Sequence, residues 1–197
     1  MTYQLETDSC SEKELFFRNC IIDWYKINGR NFYWRTHFMN EWQWLMLELL
    51  LKKTRAENVN KIFIVITKKY YNPKKVINTD EIELANDLSP LGLYNQRTKA
   101  LKIISRIIFD DYNGKIPLDK KQLLDIPYIG EYTANALLCF CFNKKASVVD
   151  VNVNRIITRY FGHPLKNQNT KRILEFADKL LPSQNWKEYN FALWTIL

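Results

Sequence analysis

Two acids and one turn carry the residue types that could do chemistry. Asp150 follows the apolar pair Val148-Val149 and opens Val151-Asn152-Val153-Asn154-Arg155, so a carboxylate stands at the entrance of an amphipathic helix. Such a group can cap the helix by accepting from its first turn, or stay ionised beside a centre that becomes cationic. The turn is Ile126-Pro127-Tyr128-Ile129-Gly130: Pro127 cannot continue a helix, and Gly130 is expected to supply the backbone freedom of a tight bend before residues 133–142 resume helical spacing. At the start of that second helix the N–H groups of Gly130, Glu131 and Tyr132 have no partner within the helix and can face an anion. An ordinary interhelical turn and a plain N-cap are the competing description. The second acid, Glu48, sits between Leu47 and Leu49. It either faces solvent or is held in a pocket, because burying an unpaired carboxylate is costly.

The elements that must position these groups are helical. Ser11 with Glu14 forms a capping box ahead of an aromatic-rich helix that Asn28-Gly29-Arg30 ends. Apolar spacing predicts helices over 42–59, 59–71, 81–88, 100–112, 151–161 and 169–181, with Gly162-His163-Pro164 separating the last two. Five glycines, six prolines and the absence of alternating strand patterns point to an all-α fold. With 47% hydrophobic residues in 197, the chain is long enough to bury a core on its own.

Charge narrows the partner. Lys and Arg number 29 against 21 Asp and Glu, a net charge of +8, which favours a polyanion such as nucleic acid. Lys52 and Lys53 open a basic run continued by Arg55, Lys61, Lys68, Lys69, Lys74 and Lys75. No stretch is long and apolar enough to span a membrane, and residues 1–17 lack a basic start followed by an apolar core, so a cytoplasmic protein is expected. The cysteines at 10, 20, 139 and 141 have neither zinc nor cluster spacing, and His37 and His163 lack ligand partners.

Ile126-Pro127-Tyr128-Ile129-Gly130-Glu131-Tyr132-Thr133-Ala134 followed by Val149-Asp150-Val151-Asn152-Val153-Asn154-Arg155 resembles the L-P-G-V-G-x-x-T-A and V-D-x-N-V-x-R signatures of the helix-hairpin-helix DNA glycosylases of the endonuclease III superfamily. Tyr128 replaces the first hairpin glycine. Trp24-Tyr25 with 29–35 resembles the W-Y-x-x-x-G-R-x-F-P-W-R entry of the mismatch-specific branch, with Tyr33 in place of Pro. Glu48, six positions before Thr54, matches the superfamily's L-x-S-E-x-x-L-x-x-T, and Gly92-Leu93-Tyr94-Asn95-Gln96-Arg97 matches its G-L-Y-N element.

The resemblance, which runs from Phe17 to Trp194, implies two helical lobes with a DNA groove between them. One would be a six-helix barrel over 40–145; the other would combine 1–39 with 146–197, leaving Asp150 at the junction. It implies that Asp150 stabilises the cationic sugar, that Glu48 positions water or moves a proton, and that Leu93 enters the duplex where the target nucleotide has left. Tyr128, Ile129, Gly130, Glu131, Lys52, Lys53, Arg97 and Asn152 are carried over as DNA contacts. Bifunctional members have Lys where this chain has Tyr132, so base removal without strand cleavage is implied. Tyr132, Leu51-Lys52-Lys53-Thr54 and the Gly92 to Arg97 element look most like archaeal-type thymine-DNA glycosylases acting on T or U opposite G, in base excision repair, as a monomer on mismatched duplex DNA. An adenine-specific mismatch glycosylase is the alternative, and a non-catalytic helix-hairpin-helix DNA-binding module is the alternative of another class. The chain stops at Leu197, before the superfamily's four-cysteine loop, so no iron–sulfur cluster is expected in it.

Overall fold

The computed structural model describes residues 11–162 and 170–196. Cys10, His163 and Pro164 lie outside them. Among the described residues the regular elements are all helical: α1 Glu12–Asn28, α2 Tyr33–Thr36, α3 Glu41–Leu51, α4 Ala56–Lys69, α5 Pro73–Asn78, α6 Glu81–Leu88, α7 Tyr94–Asp111, α8 Lys120–Asp125, α9 Glu131–Ala136, α10 Val151–Phe161, α11 Thr170–Leu180 and α12 Trp186–Thr195.

Six of these helices, α1, α3, α5, α6, α8 and α10, begin where a short polar side chain satisfies orphan N–H groups of the first turn. Ser11 and Glu14 form the expected capping box, and Asn40 with Gln43 forms a second one. Asn72 caps α5 with Pro73 at its first position, Asp80 caps α6, and Asp119 caps α8. Local chemistry therefore sets these six starts.

The chain divides into two compact units, 31–142 and the termini, 1–30 with 143–197. In the central unit α3 is the buried axis: Leu45, Met46, Leu47 and Leu50 are fully enclosed, and α4, α7 and α9 pack around it. Phe63, Leu84, Leu88, Leu101, Ile104 and Ile108 complete that core. In the terminal unit α1 packs along α12, and Phe17, Ile21, Val153, Ile157, Ala177, Leu180, Tyr189 and Leu193 form a separate core. Arg18, 7% exposed, donates from Nε to the Leu180 carbonyl and from Nη2 to that of Lys179, closing the end of α11.

Four features depart from what the periodicity and the resemblance imply. The helix expected over 42–59 is two, α3 and α4, broken at residues 52–55, where Lys53 takes a left-handed backbone. Residues 31–39 belong with the central unit rather than with the termini, because the Tyr33 N–H donates to Asn60 Oδ1 and the Trp34 ring meets Phe63 edge-on. Helix α7 starts at Tyr94 rather than at 100. Residues 133–142 do not form one α-helix: α9 passes into a wider π turn over Leu137–Cys141, closed by the Phe142 N–H on the Leu137 carbonyl.

Candidate active site

Glu48 lies on the last full turn of α3 and is 1% exposed, which excludes the solvated helix face. Four residues later Lys52 ends the helix. It is exposed as a residue, but its ammonium tip is tucked against the hairpin and donates to the Tyr128 carbonyl at 2.6 Å. Burial of that tip pushes the Lys52 pKa down; Glu48 opposes the shift and Arg97 adds to it. Lys52 thus links the acid's helix to the hairpin. Lys53 remains exposed, with no partner among the described residues.

The hairpin joins α8 to α9. Its strained residue is Tyr128, at φ 69, whereas Gly130 is extended at φ −100. The expectation that Gly130 supplies the positive φ is corrected: the left-handed position belongs to Tyr128, where the resembled motif has its first glycine. A side chain at Gly130 would meet nothing of the protein within 4 Å. Gly130 makes no side-chain cap for α9, leaving the N–H groups of the first turn for an anion. Ile129 is buried as the hairpin's plug, and Tyr128 is 45% exposed. The Glu131 carboxylate pairs with Lys120 at 2.8 Å and staples the two hairpin helices. Tyr132, half-buried, follows in the first turn of α9.

Leu93 precedes α7 in a left-handed conformation, φ 50 and ψ 26, and is 43% exposed. A branched residue held there costs about 1–2 kcal/mol, a strain that concentrates where function demands it. Leu93 is therefore not the packed hydrophobic partner of a glycine cap. Its loop is fastened from behind by Arg97, which donates from Nε to Gly92 O at 3.0 Å, from Nη1 to Leu49 O at 2.5 Å and Leu50 O at 3.0 Å, and from Nη2 to Lys52 O at 2.8 Å and Thr54 Oγ1 at 2.5 Å. Thr54 passes its own hydroxyl to the Leu91 carbonyl. Arg97, expected as a DNA contact, is 5% exposed; its donors close the C-terminus of α3 and hold the Leu93 loop to it, so it is a structural clamp. Little in the local sequence distinguishes such an arginine from a phosphate ligand, since four of its five partners lie 43 to 48 positions away.

In the terminal unit Asp150 caps α10. Its Oδ1 accepts from the Val153 N–H at 2.7 Å and its Oδ2 from Asn152 Nδ2 at 3.3 Å. The plain N-cap description therefore holds for one oxygen and leaves the carboxylate half-buried with capacity to accept more. Asn152 is exposed and also accepts from Arg155 at 3.5 Å. The strand of chain leading to Asp150 is pinned by the Ser147 hydroxyl on Asp178 and by the Val148 N–H on Asn190 Oδ1. Glu48 and Tyr132 thus belong to the central unit and Asp150 to the terminal one.

Among the described residues no group of three or more His, Cys, Asp or Glu is placed to hold a metal ion. Cys20 is exposed on α1, and Cys139 is buried in the π turn. His37 stacks on Tyr33.

The thymine/uracil-DNA glycosylase of Methanothermobacter thermautotrophicus is 36% identical over 94% of this chain and 85% of its own length. That of Pyrobaculum aerophilum is 31% identical over 90% of the chain and 79% of its own. Among solved structures, a thermostable thymine-DNA glycosylase superposes with a TM-score of 0.89 at 36% identity, covering 93% of this chain and 85% of that one. The sequence pattern of the HhH-GPD superfamily matches residues 46–183, and the chain belongs to this superfamily of base excision DNA repair proteins.

Proposed function

We propose that the protein is a monofunctional DNA glycosylase that removes thymine or uracil opposite guanine from duplex DNA. The observation that carries the reading is the likeness to thymine/uracil-DNA glycosylases along nearly the whole chain. The side chains support it chemically. As the base departs, positive charge grows on the sugar, and Asp150, anchored through one oxygen to the first turn of α10, keeps carboxylate capacity to stabilise that charge. Glu48, enclosed at the end of α3, positions the attacking water or accepts its proton, a contribution of about 10²- to 10⁴-fold. Leu93, exposed and clamped from behind by Arg97, fills the vacated stack while the target nucleotide is turned out. The bare Gly130 turn and Lys53 hold phosphates.

Tyr132 sets the outcome. Strand cleavage by a Schiff base needs an amine that attacks the sugar, and a phenol forms no such intermediate. The products are a free base and an intact abasic strand. No cluster takes part in this reading, the protein acts as a monomer, and its DNA substrate places it inside the cell.

The test is a panel of duplexes with T/G, U/G, A/G, A/8-oxoguanine and full pairing, each followed with and without alkali. Release from T/G and U/G, with breaks only after alkali, is expected. Release confined to the adenine duplexes would replace the substrate assignment, and binding without release from any duplex would reduce the protein to a DNA-binding module.

A further inference from the structure

Glu48 and Lys52 stand one helical turn apart at the end of α3, a spacing that makes neighbours of two side chains on one helix face. Their surroundings differ. Glu48 is enclosed, and a carboxylate so placed stays ionised only where charges or donors offset its lost water. Lys52 is the C-cap of the helix, and the Tyr128 carbonyl holds its ammonium at 2.6 Å. The two charges attract: Glu48 pulls the Lys52 pKa up against the larger downward push of burial.

Arg97 fixes the backbone on which Lys52 stands. Its Nη2 donates to the Lys52 carbonyl at 2.8 Å, and its Nη1 to the Leu50 carbonyl at 3.0 Å. Burial alone lowers the Arg97 pKa, whereas Lys52 also feels the Glu48 charge. Of these two cations, Lys52 is the one whose charge reaches the acid. An exposed lysine tip keeps its rotational freedom, and holding it in one place costs side-chain entropy. The bond to Tyr128 therefore sets where the charge stands.

We propose that Lys52 is a positioning residue for Glu48: the hairpin carbonyl fixes its ammonium one turn from the enclosed acid, where it keeps the carboxylate ionised for its work on the attacking water. The inference rests on the excision reading and deepens it. A phosphate contact through Lys52 would act on binding and on its salt dependence. A positioned cation acts on the rate of base release, and only while residue 48 can carry a charge. The two roles separate on that difference.

The experiment measures single-turnover base release at saturating enzyme, on the mismatched duplex that the wild type turns over fastest, together with duplex affinity across a salt series. The proteins are the wild type, Lys52→Met, Lys52→Gln, Lys52→Arg, Glu48→Gln and the double variant Glu48→Gln/Lys52→Met, each confirmed as folded by urea unfolding. Lys52→Gln keeps a donor for the Tyr128 carbonyl but no charge, and Lys52→Arg keeps the charge. Lys52→Met and Lys52→Gln should slow release about tenfold, within the range of coupling between groups in contact, and Lys52→Arg should recover most of the rate. Affinity and salt slope should stay at the wild-type values. In the Glu48→Gln background Lys52→Met should slow release no further, because a neutral amide has no ionisation to protect. The inference is overturned by a wild-type rate in Lys52→Met, by additive slowing in the double variant, or by Lys52→Arg being no faster than Lys52→Gln. A salt slope reduced by about 0.9 with the rate intact would assign Lys52 to a phosphate instead. A wild type that releases no base from any duplex would refute the excision reading itself, and the inference with it.

Discussion

Replacing Arg97 with alanine removes a buried guanidinium that donates to four carbonyls and one hydroxyl within its own unit. A hydrogen bond from a charged donor contributes about 1.5–3 kcal/mol net, and simple addition would exceed the whole stability of many domains. The real loss is smaller, because water enters the vacated space, the side-chain entropy is recovered and the desolvated charge disappears. Burial alone holds the Arg97 pKa below the usual guanidinium range, so part of the gross attraction already offsets that cost. A net loss of about 3 kcal/mol remains, and at ~2–4 °C per kcal/mol for a chain of this size it lowers the melting temperature by about 6–12 °C. Arg97→Lys keeps the charge but not the planar fork and should lose about half as much. The assays are chemical denaturation and the salt dependence of duplex binding. If Arg97 is a clamp, stability falls and the slope of log K against log salt is unchanged. Full stability together with a slope reduced by about 0.9, the signature of one lost phosphate contact, would refute the clamp and restore Arg97 as a DNA ligand.

Asp150→Asn should abolish base release while shifting the melting temperature by little, since asparagine caps a helix about as well as aspartate; normal turnover would remove the charge from the mechanism. Glu48→Gln, nearly isosteric in its pocket, should slow release by about 10²-fold or more, with single-turnover kinetics as the measurement and an unchanged rate as the contrary result. Tyr132→Lys should yield a borohydride-trappable complex, whereas the unmodified protein should yield none. Lys52 binds its proton less tightly in the folded than in the unfolded state, because its tip is buried. That penalty is complete below the lowered folded pKa and fades as pH rises through it towards the ordinary lysine range. From about pH 7 to about pH 10, urea unfolding should therefore show wild type gaining stability relative to Lys52→Met, and parallel curves would contradict the buried tip.

Sequence alone determined whatever depends on residues within a turn of one another. Ser11 with Glu14, Asp150 ahead of Val153 and the proline break of the hairpin act across three or four positions, so the starts of α1 and α10 and the break between α8 and α9 were legible. The resemblance supplied their roles. Only the tertiary structure decided that Glu48 is enclosed, because adjacent leucines are equally consistent with a helix facing solvent. It also decided that Arg97 is buried and that the Lys52 ammonium donates to the hairpin: a cation's identity does not say that a carbonyl 48 or 76 positions away will be its partner. Tyr128 shows the same limit in the backbone. A tyrosine gives no local preference for φ 69, and the turn adopts it because α8 and α9 are held by Lys120 with Glu131, by the buried Ile129 and by Lys52 on the Tyr128 carbonyl, contacts that exist only once the unit has closed around α3.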